Sequence, residues 1–215
     1  MIHILYSYIA QENHSRLLRT FLPNFSNDFQ RKILTYRRWQ DVQLSLLGRL
    51  LLKQGMEGMS KTFCEENLMY SAYNKPYFKN KCVKFNISHS GNIVVCVLSE
   101  IDEVGIDLEI LKNIDIESFK SQMTNLEWKQ IISSNDVKNA FYNYWTKKEA
   151  VLKAHGMGLS VPLNSFEIIN NQTKINGEIF FLKKIELDNE YKCHLAFKNK
   201  ICTTILLPVE IIFPS

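Results

Sequence analysis

Polar and apolar positions repeat along this chain with two periods, about 2 and about 3.6 residues, and each switch between them marks an element boundary. Residues 2–9 alternate and predict a first strand. Residues 14–22 and 26–34 predict two short helices, parted by Pro23. Residues 36–54, YRRWQDVQLSLLGRLLLKQ, set Leu44, Leu47 and Leu51 beside Leu46 and Leu50 on one broad apolar stripe. That spacing predicts a long helix, with Gly55 expected to close it. NKPYF at 74–78 predicts a turn into a short strand. Apolar runs at 83–88 and 92–98, with SHSG between them, predict a strand pair. Val104, Ile106, Leu108 and Ile110 alternate with Gly105, Asp107 and Glu109, the period of a half-buried strand. A polar stretch at 111–135 carries a helix from about Asn125, and a second long helix covers 138–154. Strands are expected at 165–170, 178–187, 190–197 and 201–207.

An internal echo suggests two similar halves. LLKQGMEGMS at 51–60 resembles VLKAHGMGLS at 151–160, and each closes a long helix before strand-rich sequence. The echo is read as a sign of two similar α/β halves that meet near residue 100. No linker-like segment separates them, so they are expected to pack tightly.

The 215 residues have room for one large domain or two small ones. A composition of 46% apolar and 22% charged residues is ordinary for a globular chain. The net charge of +4 fits an anionic ligand or an acidic partner. No basic block points to nucleic acid, and no apolar run has the length of a membrane span. The N-terminus lacks a basic stretch and a small-residue cleavage site, so no signal peptide is expected. The cysteines Cys64, Cys82, Cys96, Cys193 and Cys202 are scattered without metal-binding spacing. Reduced thiols in the cytoplasm are the simplest reading.

Candidate chemistry gathers on two elements. Asp107 and Glu109 are two apart on a strand and share one face. They repel unless a cation lies between them, and hard carboxylate oxygens suit Mg²⁺. A solvated outer face is the other reading. Gly105 lets another group approach the backbone. On the second long helix, Glu149 and Lys153 are four apart and share a face. Phe141, Tyr142, Tyr144 and Trp145 anchor that helix, so Glu149 can be aimed at the Asp107/Glu109 pair. Three carboxylates would then make a Mg²⁺ site, with Lys153 neutralising a bound phosphate; an ordinary surface pair between Glu149 and Lys153 is the other reading. Ser88, His89 and Ser90 fall beside Gly91 at the expected turn, where hydroxyls and exposed amides can cradle an anion. A polar hairpin turn is the alternative there.

FNISHSG, VGIDLE and WTKKEAVLKAHGMGLS, in that order and spacing, resemble the 4′-phosphopantetheinyl transferases. Length and the two-half layout resemble the monomeric, surfactin-synthetase-activating type. The resemblance implies an α+β fold of two pseudo-symmetric α/β halves, 1–100 and 101–215, each a small antiparallel sheet packed on a long helix, with the metal site in the second. The resemblance implies transfer of the phosphopantetheine arm of coenzyme A to a serine of an apo acyl- or peptidyl-carrier protein, releasing 3′,5′-ADP. It implies Mg²⁺, or Mn²⁺, on Asp107, Glu109 and Glu149, with Glu149 also the general base. It implies Lys153 on the diphosphate, Ser88 and His89 around the 3′-phosphate, and Lys75 and Pro76 at the adenine. Glu127 and Lys148 match further family positions, and Lys148 is expected among the coenzyme A contacts. The family's arginine early in the first long helix is replaced by Gln43-Leu44. Arg31 and Lys32 are expected to substitute, with Arg37, Arg38 and Arg49 as alternatives. A monomer without nucleic-acid or membrane partners is expected. Two other readings use the same residues: a Mg²⁺-dependent phosphohydrolase, and a non-catalytic module that binds carrier proteins.

Overall fold

The alternating N-terminal run folds as the strand Ile2–Tyr8 (β1). The computed structural model describes residues 2–199 and 206–213. Two short helices follow, His14–Phe21 (α1) and Asn27–Leu34 (α2), with Pro23 in the tight turn between them. The leucine stripe becomes the helix Trp39–Gly58 (α3), whose Leu46, Leu47, Leu51 and Leu52 are buried. Each such leucine contributes roughly 2 kcal/mol when withdrawn from water. Gly55 does not close this helix, which runs on to Gly58. A Cβ on Gly55 would stand 2.4 Å from Leu98 and 3.1 Å from Leu5. The missing side chain therefore lets α3 lie flat on the sheet beneath it.

The strands Leu68–Tyr70 (β2) and Pro76–Phe78 (β3) make a small antiparallel pair. Lys84–Ser90 (β4) and Ile93–Ser99 (β5) form the expected hairpin. Its turn is tighter than the sequence suggested. Ser88, His89 and Ser90 belong to β4, and only Gly91 and Asn92 turn the chain. Gly91 takes a φ of +55°, the left-handed value a two-residue turn needs.

The second half opens with Val104–Ile110 (β6). Asn125–Ile132 (α4) and Val137–His155 (α5) follow. Gln172–Ile175 (β7), Glu178–Lys184 (β8) and Tyr191–Phe197 (β9) complete an antiparallel sheet of order β6-β9-β8-β7. No strand forms at 165–170. Asn170 and Asn171 both take positive φ and reverse the chain, so the strand starts at Gln172. The strand expected at 201–207 lies mostly outside the described residues. Val209–Glu210 (β10) returns to the first half and pairs in parallel with β1, giving a sheet of order β10-β1-β5-β4. The segment 101–215 is therefore not confined to the second half.

β5 is buried on both faces, as an unbroken apolar run requires. Val94, Cys96 and Leu98 pack towards α3, while Ile93, Val95 and Val97 join Val104, Ile106 and Leu108 in a core shared by the halves. That shared core turns the odd positions of β6, 105, 107 and 109, away from the first half's sheet and towards α5. Among the described residues, no helix is long and apolar enough to cross a membrane. The four described cysteines, Cys64, Cys82, Cys96 and Cys193, are free thiols.

Candidate active site

β6 and α5 touch backbone to backbone. A Cβ on Gly105 would lie 2.2 Å from both the carbonyl oxygen of Ala150 and the amide nitrogen of Ala154. Only glycine permits that approach. It sets Asp107 and Glu109, the next two outward positions of β6, beside Glu149 and Lys153 of α5. The Nζ of Lys153 lies 2.5 Å from Asp107 Oδ1 and donates to Ser88 Oγ at 2.9 Å.

β4 and β6 are edge strands of different sheets, and they are joined without a backbone ladder. Side chains from alternate positions of β4 accept the β6 amides instead. Asn86 Oδ1 accepts from Ile106 at 2.9 Å, Ser88 Oγ from Leu108 at 3.3 Å, and Ser90 Oγ from Ile110 at 3.2 Å. Ser88 and Ser90 then pass their single hydroxyl protons to Asp107 Oδ1, 3.3 Å, and Glu109 Oε2, 2.7 Å. Ser88 thus accepts from Leu108 and Lys153 and donates to Asp107, which fills the capacity of a hydroxyl. It braces the site from within and has no hydrogen bond left for an incoming phosphate.

A cleft of about 210 Å³ opens beside this cluster, lined by Tyr73, Lys75, Pro76, Asn86, Glu149 and Lys153 among others. Lys75 Nζ donates to the carbonyl of Ala154 at 3.0 Å and meets Glu103 at 3.3 Å. Gly156, at φ +88°, closes α5 and leaves room for the Lys75 stem, 3.1 Å from where a Cβ would stand. His89 is exposed and points to the opposite side of β4 from Ser88.

Electrostatics mark the same place. Burial raises the Glu149 carboxyl, the Asp107 charge raises it further, Lys153 opposes them, and Glu109 adds to the rise. Burial also raises Glu109, offset by the Ser90 hydrogen bond, with Asp107 raising it again and Lys153 lowering it. Desolvation lowers Lys75, although Glu103 pulls it back up. Desolvation and then Lys153 lower His89, with Asp41 opposing. Asp107 Oδ2 is buried and has no hydrogen-bond partner. An unpartnered carboxylate oxygen flanked by two further acids is a donor set that suits a hard divalent cation. Lys153 is paired with the other oxygen of Asp107, and among the described residues no group of three or more His, Cys, Asp or Glu is arranged to hold a metal ion.

Two family models divide the chain between them. One, described as 4′-phosphopantetheinyl transferase, N-terminal, matches residues 5–101; the other, the 4′-phosphopantetheinyl transferase superfamily, matches 103–205. The 4′-phosphopantetheinyl transferase gsp of Aneurinibacillus migulanus is 32% identical over 203 residues, 90% of this chain and 84% of that protein. The chain belongs to the 4′-phosphopantetheinyl transferase family. The 4′-phosphopantetheinyl transferase Sfp of Bacillus subtilis (strain 168) is 27% identical over 86% of this chain and 85% of its own length. The L-aminoadipate-semialdehyde dehydrogenase-phosphopantetheinyl transferase of Xenopus laevis is 28% identical over 70% of this chain and 56% of its own. The chain is an Sfp-like phosphopantetheinyl transferase, an enzyme that activates carrier proteins.

Three residues expected to contact coenzyme A in this transferase are not brought to the cleft. Lys148 is fully buried. Its Nζ pairs with Glu127 at 2.8 Å and donates to the carbonyls of Leu163 and Phe166, both at 2.7 Å. Glu127 in turn accepts the amides of Thr124 and Ile168. The pair is a clasp joining α4, α5 and the 163–168 segment. Helical spacing explains this: Lys148 is one residue from Glu149 and faces another way. Arg31 is exposed and paired with Asp28, and Lys32 lines a separate cleft with Arg49 and Glu65. Gln43 is buried, accepting the amide of Ala10 at 3.0 Å and donating to its carbonyl at 3.1 Å. Phe119 and Met123, in the polar stretch before α4, pack inward with Phe141 and Trp145. Sequence alone assigned Asn86 no role and put Ser90 in an anion-binding turn, although the period-2 spacing of both with Ser88 was visible.

Proposed function

We propose that this transferase moves the 4′-phosphopantetheine arm of coenzyme A onto a serine hydroxyl of an apo acyl- or peptidyl-carrier protein, with Mg²⁺ as cofactor and 3′,5′-ADP as leaving group. The observation that supports it is the meeting of Glu149 and Lys153 with the Asp107/Glu109 face at the mouth of one cleft that Lys75 and Pro76 also line.

Asp107, Glu109 and Glu149 are the residues that would hold the ion. Bound there, Mg²⁺ neutralises the diphosphate and stabilises charge growing on the departing nucleotide; Mn²⁺, also an oxygen seeker, is the substitute. Lys153 reaches the same face and supplies a second positive charge to the phosphates. Glu149 accepts the proton of the incoming serine. In the metal-free protein, burial and then the Asp107 charge raise its pKa, and its place beside the cleft lets it reach the serine proton. A serine hydroxyl is a weak nucleophile at neutral pH, so holding it against the phosphorus contributes as much as the base. Lys75 and Pro76 take the adenine end. His89, exposed on the other side of β4, meets the 3′-phosphate without Ser88. In this reading the enzyme is a cytoplasmic monomer, with no nucleic-acid or membrane partner.

Incubation with coenzyme A, Mg²⁺ and a panel of apo carrier proteins tests the reading. At least one carrier gains the phosphopantetheine mass on a serine, and chelation abolishes the gain. If no carrier is modified, the proposal fails; 3′,5′-ADP released without any carrier identifies a phosphohydrolase instead.

A further inference from the structure

We infer that Ser90 is a positioning residue for the reaction, setting the aim of Glu109; the inference rests on the metal-holding role proposed for that acid. Its hydroxyl sits between two fixed points. The Ile110 amide donates to Oγ at 3.2 Å, and Oγ lies 2.7 Å from Glu109 Oε2. A hydroxyl has one proton. With a lone pair engaged by the amide, that proton is directed at the carboxylate. Glu109 is two residues from Asp107 and near the end of β6, half-exposed where Asp107 is buried. Its longer side chain has more rotamers to lose, so a fixed donor matters more to it. This donor comes from the opposite half of the molecule, while Trp145 of α5 bonds the same side chain from its own half. Ser90 ends β4, and the register of β4 against β6 is itself set by Asn86, Ser88 and Ser90 on the amides of 106, 108 and 110. What singles Ser90 out among the three is its second bond, to the Glu109 carboxylate itself. Outer residues that hydrogen-bond a metal-binding carboxylate typically change metal affinity or activity 10- to 100-fold when removed.

Asn86 separates this role from simple joining of the halves. Its side chain makes the same kind of bond to a β6 amide, and that bond goes to the backbone of Ile106, not to any of the three acids. Electron paramagnetic resonance of Mn²⁺, titrated into full-length protein saturated with coenzyme A, provides a readout independent of turnover. Ser90→Ala is expected to weaken Mn²⁺ about tenfold and raise the Mg²⁺ concentration for half-maximal transfer by a similar factor, with KM for coenzyme A at saturating Mg²⁺ unchanged. Ser90→Thr, which keeps the hydroxyl, is expected to restore both. Asn86→Ala is expected to lower the melting temperature and leave Mn²⁺ affinity as in the parent. Should Ser90→Ala not fold, Ser90→Cys carries the same comparison, since a thiol is a weak donor of similar size. Unchanged Mn²⁺ affinity in the alanine or cysteine variant, or an equal loss in Asn86→Ala, overturns the inference. Glu109→Gln is the control for the reading beneath it. If that variant binds Mn²⁺ like the parent, the metal assignment falls; if it weakens Mn²⁺ while Ser90→Ala does not, only the role of Ser90 falls.

Discussion

Gly105 and Ala154 stand so close that a methyl on the glycine would be 2.2 Å from the alanine's amide nitrogen. Backbone atoms on a 19-residue helix cannot swing aside as a side-chain tip can. Gly105→Ala is therefore expected to force β6 off α5, at a cost of about 3 kcal/mol or more. It also separates Asp107 and Glu109 from Glu149 and Lys153. Urea unfolding and a carrier-modification assay should show stability and transfer falling together. A variant with normal activity would show that the contact does not set the site.

Glu149 combines two proposed duties, holding the ion and taking the serine proton. Glu149→Ala and Asp107→Ala are each expected to abolish transfer while the protein still melts cooperatively. Loss of a general base alone costs about 10²- to 10⁴-fold in rate. Full activity in either well-folded variant removes the site.

His89 lies on the face of β4 away from the acids and carries no proposed role in proton transfer. His89→Ala is expected to weaken coenzyme A binding several-fold and to change kcat little. Titration calorimetry with coenzyme A reads the first effect directly, and an unchanged affinity refutes the assignment.

Lys148 and Glu127 form an ion pair from which water is excluded. Breaking it on one side leaves the other charge buried and alone, so Glu127→Gln is expected to cost about 3–5 kcal/mol. Replacing both, with Lys148→Met and Glu127→Leu, is expected to cost less than the single change. Because Lys148 does not reach the cleft, any folded variant keeps its KM for coenzyme A. A raised KM with unchanged stability would return Lys148 to the ligand.

His194 gives the fold an acid sensitivity of its own. It is buried, and burial first, then Lys147, Lys184 and Lys192, push its pKa down to about 3. The Thr146 hydroxyl donates to the Tyr142 carbonyl, so at 2.7 Å it accepts the proton on His194 Nδ1. The unfolded chain takes up a second ring proton near the ordinary histidine value of 6.5, and the folded chain does not until about 3. Stability from this residue is complete above pH 6.5 and is lost as pH falls below it. Between pH 7 and pH 5 the loss is about 2 kcal/mol. Urea midpoints at the two pH values should differ less in His194→Gln by that amount, and an equal difference would exclude the residue as the cause.

What the residue order determined by itself was local. Alternation on 104–110 put Asp107 and Glu109 on one face, and a four-residue step put Glu149 and Lys153 on another. Both long helices were visible from periodicity, and the three motifs in their order pointed to the family. Periodicity says which residues share a face, but not which faces meet. Only the folded chain decided that Gly105 would admit α5, that Asn86, Ser88 and Ser90 would bind the two sheets by side chains, and that Lys148 would be consumed by Glu127. It also decided that Gly55 would pack on Leu98 instead of ending a helix. Each of these depends on atoms distant in sequence arriving within hydrogen-bond or van der Waals range, a condition that a one-dimensional pattern does not contain.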